Sequence, residues 1–117
     1  MNRRSPNDEA PPEPSQPGVG PLQKLTPQQL QGWLEKRPDW RVEEGHHLLR
    51  TYRFPDFVSA LDRIQQIGAV AETLDHHPDL ELSWGRVGVK IFTHSVDGLT
   101  DADLQLAAGI EALEGSQ

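Results

Sequence analysis

The longest regular pattern of apolar positions lies between Phe57 and Leu74. Its members recur three or four residues apart and are Phe57, Leu61, Ile64, Ile67, Ala71 and Leu74. This spacing predicts one amphipathic helix with a continuous apolar stripe that faces the core. His77 precedes Pro78, and a residue before proline is disfavoured in the helical conformation. The helix is therefore expected to end at or just before His76 and His77.

Two shorter helices are predicted from their caps. Thr26 is a favoured N-cap and Pro27 suits the first helical position, while Pro38 stops the same segment. Near the C-terminus, Thr100 followed by Asp103 is an acidic variant of the capping box. The apolar positions at helical spacing are Leu30, Trp33 and Leu34 in the first of these helices and Leu106, Ile110 and Leu113 in the second.

Strand-like runs pair into two hairpins. The runs "WRVEE" and "HLLRTYRF" are separated by Gly45, and "LELSW" and "RVGVKIFTH" flank Gly85. Short connections make each pair antiparallel, and the alternation of Val87, Val89 and Ile91 leaves one apolar face. The order helix, two strands, helix, two strands, helix predicts an α+β fold, in which a four-stranded antiparallel sheet carries three helices on one face.

Composition separates an N-terminal tail from a folded domain, and it disfavours two classes of binding partner. Six of the ten prolines lie in the first 21 residues, among polar and acidic residues. Residues 1–24 are therefore expected to be a disordered tail, and residues 25–117 the folded domain. A net charge of −7 disfavours nucleic acid and anionic membrane as partners. The chain has no cysteine, no run of about 20 apolar residues and no secretory signal at its start, which fits a cytoplasmic protein.

Histidines and one carboxylate are expected to meet at one edge of the sheet. His76 and His77 lie at the carboxyl end of the long helix, where exposed carbonyl groups favour a protonated imidazole. His94 closes the fourth strand, and Asp103 lies in the first turn of the last helix, where amide dipoles favour a carboxylate. Because histidine changes its charge near neutral pH, this group predicts a site for proton transfer.

Simpler explanations exist for each of these residues taken singly. A histidine at a helix end is often a C-terminal cap, Asp103 is explained by capping, and His94 fits an exposed strand edge. A metal site is disfavoured, because neighbouring histidines in an extended segment point apart and no His-x-His or HExxH pairing is present. The other pair, His46 and His47, lies in the first hairpin. Its side chains should alternate between the two faces, so we interpret the pair as structural.

A set of positions in the second half of the chain has a specific spacing. They are Glu72, His76, His77, Pro78, Trp84, His94 and Asp103, with five residues between Pro78 and Trp84, nine more before His94 and eight more before Asp103. This pattern resembles the signature of the pterin-4a-carbinolamine dehydratases. The tract "THSVDGLTDADLQLAAGIE" is similar to the end of that family's sequences, and Trp40 and "YRFPDFVSAL" match upstream. The resemblance covers residues 24–114.

The resemblance implies the fold already predicted and an enzymatic activity. Family members dehydrate a 4a-hydroxytetrahydropterin to the quinonoid dihydropterin and so recycle the tetrahydropterin cofactor of aromatic amino acid hydroxylases. Water leaves C4a once its oxygen is protonated and the N5 proton departs, which is acid–base chemistry that needs neither a cofactor nor a metal. Family members form dimers or tetramers, and an open sheet leaves edges that a second copy can cover, so a homodimer or homotetramer is expected.

Carried over residue by residue, the resemblance assigns His76, His77 and His94 as the catalytic histidines. His76 or His94 would protonate the leaving hydroxyl, and His77 would hold or deprotonate the ring. Which histidine is the acid and which is the base stays open. The substrate-binding positions that the resemblance implies are Asp75, Phe92, Thr93, Ser95 and Asp103, the last of which would orient His94.

A second function class stays open beside the enzyme. Leu80 occupies a position where animal members of the family carry tryptophan, which weakens the expected stacking on the pterin. Some dehydratase-like proteins of autotrophic bacteria have altered active-site residues and assist Rubisco assembly. The acidic, proline-rich tail is compatible with such a role. The alternative is therefore a non-catalytic assembly or interaction factor, although every motif position is intact and this favours the enzyme.

Overall fold

The structure, a computed structural model, describes residues 22–116 of the 117-residue chain and the side chains as far as residue 114. Nearly all of the predicted tail lies outside the described residues, so its disorder stays a prediction. The elements in chain order are α1 (Pro27–Glu35), β1 (Arg41–Glu43), β2 (His47–Arg53), α2 (Phe57–Leu74), β3 (Asp79–Ser83), β4 (Arg86–Ile91) and α3 (Asp101–Ala112), with 3₁₀ turns at His94–Val96 and Leu113–Ser116. The predicted α+β order is confirmed.

The starts of α1 and α3 are held by the caps that the sequence predicts. The Thr26 hydroxyl accepts the N–H of Gln29 at 3.1 Å, and the Gln29 side chain accepts the N–H of Thr26 at 2.8 Å. A second capping box joins Thr100 and Asp103 at the start of α3. Each box satisfies amide donors that have no partner within the helix, which is why both helices begin where they do.

The sheet has the spatial order β1-β2-β4-β3, and its neighbouring strands are all antiparallel. The two predicted hairpins are therefore joined along β2 and β4, where Leu48 pairs with Ile91 and Arg53 with Arg86. The face toward the helices carries fully buried residues, and the positions between them on β4 are polar or glycine and partly exposed. The core under the helices is formed mainly by Leu48, Ile67, Val87, Val89, Ile91, Leu106 and Ile110.

The apolar stripe of α2 is buried at its centre and not at its ends. Ile67 and Ala71 are buried as expected, but Phe57 and Leu74 are 43% and 39% exposed, and Leu61 is also exposed. The helix has 18 residues and is about 27 Å long. The six residues of β4 span only about 20 Å, so the helix extends beyond the sheet that it covers. The apolar stripe that the sequence predicts is therefore covered only over its central part.

The fourth strand is shorter than predicted. It ends at Ile91, and His94 opens a 3₁₀ turn instead of closing the strand. The Thr93 N–H donates to the Gly98 carbonyl at 2.8 Å, which closes a small loop around the turn. Asp97, at the end of the turn, has the left-handed backbone conformation with φ of 52°. The loop bends the chain away from the sheet before α3 begins.

A buried cation ties β2 to the end of α3. The Arg50 guanidinium lies over the rings of Tyr52 and Trp40, with 4.2 Å and 5.7 Å from its central carbon to the ring centroids. Its nitrogens approach the Glu114 carboxylate at 3.1 Å and that of Glu111 at 3.6 Å. The Tyr52 hydroxyl also donates to Glu114, and burial, followed by this hydrogen bond, raises the pKa of Tyr52. The C-terminal end of α3 is therefore held to the sheet by charge as well as by apolar packing.

Replacing Arg50 by methionine is expected to destabilise the protein by about 2 kcal/mol. The variant removes the guanidinium from Glu114, while Glu111 keeps its ion pair with Arg37 at 3.3 Å. The cost is below that of a fully buried pair because the carboxylates are partly solvated. Thermal unfolding should show a melting temperature lower by about 10 °C. Arg53→Met, an exposed change on the same strand, is the matched control. Equal melting temperatures for the two variants would contradict the role of this cluster.

The start of α2 predicts a measurable acid sensitivity. The Asp56 carboxylate is the N-cap and accepts the N–H of Ser59 at 2.8 Å, which holds the pKa of Asp56 below its usual value. A pKa that is lower in the folded state contributes stability above the unfolded pKa of about 3.9, and this is lost as the pH falls through the folded value. Asn caps a helix as well as Asp but does not titrate. Urea midpoints below about pH 4 should therefore fall less steeply for Asp56→Asn than for wild type. Parallel curves would contradict this account.

Candidate active site

The helix α2 ends at Leu74, and the left-handed backbone of Asp75 turns the chain before the two histidines. Asp75 has φ of 55°, and its N–H donates to the carbonyls of Ala71 and Glu72. The N–H of His76 also reaches back to the Ala71 carbonyl, at 3.1 Å. These bonds satisfy carbonyl groups at the helix end, and Pro78 prevents the helix from continuing. The predicted end of the helix is confirmed, and Asp75 itself is exposed at the turn.

His76 points inward and pairs with a buried carboxylate. Its Nε2 lies 2.6 Å from Oδ1 of Asp103, the side chain of Asp103 is fully buried, and His76 is 7% exposed. Asp103 occupies the third position of α3, where free amide groups favour negative charge. The structure therefore differs from the expectation that Asp103 orients His94. Its histidine partner is His76, because α3 packs beside the end of α2.

The other oxygen of Asp103 is filled by donors from the chain around it. Oδ2 accepts the hydroxyl of Thr93 at 2.7 Å and the N–H of Thr100 at 2.8 Å. An ionised carboxylate can only accept hydrogen bonds, so in the contact with Oδ1 the proton is on Nε2 of His76. In the neutral ring of His76 the lone pair is then on Nδ1, and the carboxylate stabilises the imidazolium that forms when Nδ1 takes a proton. In this arrangement the Nδ1 atom of His76 is able to accept a proton.

His77 has a different environment from that of its neighbour. Its Nε2 lies 2.5 Å from Oε2 of Glu72, which projects from the last turns of α2, and both side chains are more exposed than the pair of His76 and Asp103. The adjacent histidines thus have separate carboxylate partners, one buried and one near solvent. The sequence pattern contained Glu72, but its contact with His77 was not predicted.

His94 is exposed at the start of the 3₁₀ turn and stacks on an aromatic ring. Its ring centroid lies 4.2 Å from that of Phe92, with an angle of 23° between the planes. Ser95 is exposed beside it, whereas Thr93 is buried and uses its hydroxyl to hold Asp103. Of the predicted substrate-binding positions, Asp75 and Ser95 are therefore open to solvent, Phe92 is partly buried, and the Thr93 side chain supports the carboxylate.

The sheet brings the two histidine segments to the same end of adjacent strands. Asp79 at the start of β3 pairs with Lys90 near the end of β4, so the chain before Asp79 and the chain after Ile91 emerge side by side. The carboxylate of Asp103 bridges them, because it binds His76 from one segment and Thr93 from the other. Thr100, which the sequence predicted only as a helix cap, completes this junction with a 2.8 Å contact between its hydroxyl and that of Thr93.

The second histidine pair does not alternate between faces. His46 belongs to the turn between β1 and β2, and its Nδ1 lies 3.0 Å from Nδ1 of His47. The ring of His46 also packs on Phe92, with 4.5 Å between centroids. The alternation expected of a strand fails because Glu44 and Gly45 both have positive φ, so the chain is still turning at His46. The pair is in contact with the aromatic residue that supports His94.

Fold and site together define a small α+β domain in which histidines and one buried carboxylate lie at the same end of two adjacent strands. A family model described as "Pterin 4 alpha carbinolamine dehydratase" matches residues 23–113. A relative from Rubrobacter xylanophilus is 40% identical over 100 residues, covering 86% of this chain and 91% of its own, and one from Rickettsia canadensis is 46% identical over 99 residues, covering 85% and 89%. Both are provisionally named pterin-4-alpha-carbinolamine dehydratase. The chain belongs to the pterin-4a-carbinolamine dehydratase family.

Solved structures give the same fold. The crystal structure of a "transcriptional coactivator/pterin dehydratase" from Brucella melitensis superposes with a TM-score of 0.72 at 32% identity, covering 77% of this chain and 97% of that one. A pterin dehydratase-like protein described as a RuBisCO assembly factor in the alpha-carboxysome superposes with a TM-score of 0.56 at 20% identity, covering 68% and 93%. At that identity the second likeness concerns the fold alone.

Within residues 22–116, no helix is both long and apolar enough to span a membrane. Within the same residues, no three or more His, Cys, Asp or Glu side chains are grouped so that they could hold a metal ion.

Proposed function

We propose that this protein catalyses the dehydration of a 4a-hydroxytetrahydropterin to the quinonoid dihydropterin and water. The observation that carries the proposal is the buried pair of His76 and Asp103 beside the segment that bears the exposed His94. Family membership supports the reaction class, because the relatives and the Brucella structure have dehydratase names. Recycling of a tetrahydropterin cofactor and assembly as a homodimer or homotetramer are parts of the same proposal.

The reaction requires one proton to leave the substrate and one to arrive. The proton on N5 departs while the C4a hydroxyl is protonated, the C4a–O bond breaks, and the N5–C4a double bond forms as water leaves. The base and the acid are each returned to their starting state by proton exchange with water or with each other. Paired groups of this kind typically accelerate a reaction by about 10²–10⁴-fold each.

His76 suits the role of base and His94 the role of acid. The lone pair on Nδ1 of His76 accepts the N5 proton, and the charge that develops on the ring is stabilised by Asp103 at 2.6 Å. His94 is solvent-exposed and can be reprotonated after each turnover, so it donates to the departing hydroxyl. His77, held by Glu72, contacts the pterin ring and contributes more to binding than to proton transfer.

The decisive experiment follows dehydration of chemically generated 4a-hydroxytetrahydropterin by absorbance, with and without protein. The proposal expects a rate well above that in buffer and proportional to protein concentration. A rate equal to that in buffer would remove the enzyme function and leave the interaction role as the remaining candidate. That alternative draws on a likeness of fold at 20% identity and on the acidic tail, whereas the motif positions of the enzyme are all present in this chain.

A further inference from the structure

The turn between β1 and β2 is bonded to the loop that carries His94. The Nε2 of His46 lies 2.8 Å from Oδ1 of Asp97, a contact between residues 51 positions apart in the chain. Asp97 follows the 3₁₀ turn His94–Val96, and its N–H donates to the carbonyl of His94 at 3.1 Å. A side chain that holds Asp97 therefore acts on the turn whose first residue is His94.

The same imidazole also contacts the other side of this loop. The rings of His46 and Phe92 pack with 4.5 Å between centroids, and Phe92 stacks on His94 at 4.2 Å. His46 thus touches the residue before the loop and the residue that ends its turn. His94 lies between these two contacts, and its own ring is exposed.

The donor and the acceptor in each contact of His46 can be assigned from the chemistry of its partner. A carboxylate only accepts, so the Nε2–H of His46 donates to Asp97. In the neutral ring the Nδ1 of His46 then accepts from the Nδ1–H of His47, 3.0 Å away. His47 is buried at the first position of β2, so the chain of contacts starts from the rigid sheet.

Electrostatics at Asp97 agrees with this connection. The hydrogen bond from His46 is the largest cause that holds the pKa of Asp97 below its usual value, and the charge of His46 acts in the same direction. The charges of Lys24 and His94 also lower it, which places the carboxylate within the electrostatic range of His94. The pair is exposed to solvent and so adds little to global stability, and its effect is expected to be local.

We infer that His46 is a positioning residue for His94, which acts by holding Asp97 and with it the turn that presents the His94 ring. The catalytic consequence rests on the proposed dehydratase function, whereas the consequence for the order of the loop does not. A displaced acid costs rate even when the substrate still binds, because proton transfer requires close alignment of the donor. Loss of the His46 hydrogen bond is therefore expected to lower kcat and to leave the affinity for substrate unchanged.

Two substitutions of His46 separate this hydrogen bond from the rest of the side chain. The amide nitrogen of glutamine can take the place of Nε2 and donate to Asp97, whereas the shorter asparagine takes the place of Nδ1 and does not reach. Both variants remove the imidazole ring from Phe92, so the loss of this ring contact is common to them. His46→Asn should lower kcat about fivefold to tenfold with KM changed less than about twofold, and His46→Gln should stay near wild type.

A second measurement is independent of activity. Hydrogen exchange of the Asp97 amide should be at least about fivefold faster in His46→Asn than in His46→Gln. The ring resonances of His94 should shift further from their wild-type positions in the asparagine variant than in the glutamine variant, since the loss of the imidazole from Phe92 is common to both. Equal exchange and equal His94 resonances in both variants would overturn the inference, as would a loss of kcat as large in His46→Gln as in His46→Asn. If wild type has no dehydratase activity, the proposed function fails, while exchange and resonances still decide the role of His46 in ordering the loop.

Discussion

Asp103→Asn is expected to lower kcat by about 10³-fold while the protein stays folded. The amide oxygen of asparagine will face the N–H of Thr100 and the hydroxyl of Thr93, which both donate to Oδ2 in wild type. The amide NH₂ group then faces Nε2 of His76 and requires that nitrogen to be an acceptor. The ring proton moves to Nδ1, so the lone pair that we propose takes the N5 proton is lost. The change also removes the charge that stabilises the imidazolium.

The measurement is steady-state dehydration together with the nitrogen resonances of His76, which report the tautomer. Asp101→Asn is the matched control, because it removes an exposed carboxylate from the first turn of the same helix. The control should keep its activity. Asp103→Asn should keep most of its stability, since the cap on Thr100 is retained. A variant with normal kcat, or with the Nε2–H tautomer still present and low kcat, would contradict the role assigned to this carboxylate.

His94→Ala is expected to lower kcat by about 10²–10³-fold with almost no change in stability. The His94 ring is exposed, so its removal leaves no cavity in the core. His77→Ala is the comparison, because His77 also lies near solvent but is held by Glu72, and it should raise KM more than it lowers kcat. Dehydration kinetics at several substrate concentrations separate the two patterns. Equal kcat losses in both variants would contradict the division of roles.

The helix ends were predicted well because they depend on local contacts. Thr26 and Thr100 each bond to a residue three positions away, and the stop at His76 and His77 depends on Pro78 and on a left-handed Asp75 next to it. Interactions of this range are visible in a short stretch of sequence. The membership of the family and the order of the elements were likewise available, since the motif spacing and the apolar pattern both span the whole domain.

The errors came from contacts between segments distant in the chain. Asp103 was expected to hold His94, nine residues away, and it holds His76, which is 27 residues away. The side chains of His46 and His47 were expected on opposite faces of the hairpin, yet they lie together against Phe92. Spacing along the chain indicates which face of an element a side chain occupies, but it does not indicate which other element packs against that face.

By itself, the sequence determined the identity of the elements, most of their ends, the family and the residues to consider for proton transfer. Only the tertiary structure decided that β2 and β4 join the two hairpins, that one buried carboxylate links His76 to Thr93, and that His46 reaches Asp97. The physical reason is the distance along the chain over which each kind of interaction acts. Caps and apolar periodicity act over three to five residues, whereas a hydrogen-bond partner is selected by how whole helices and strands pack, and this depends on every residue of the core at once.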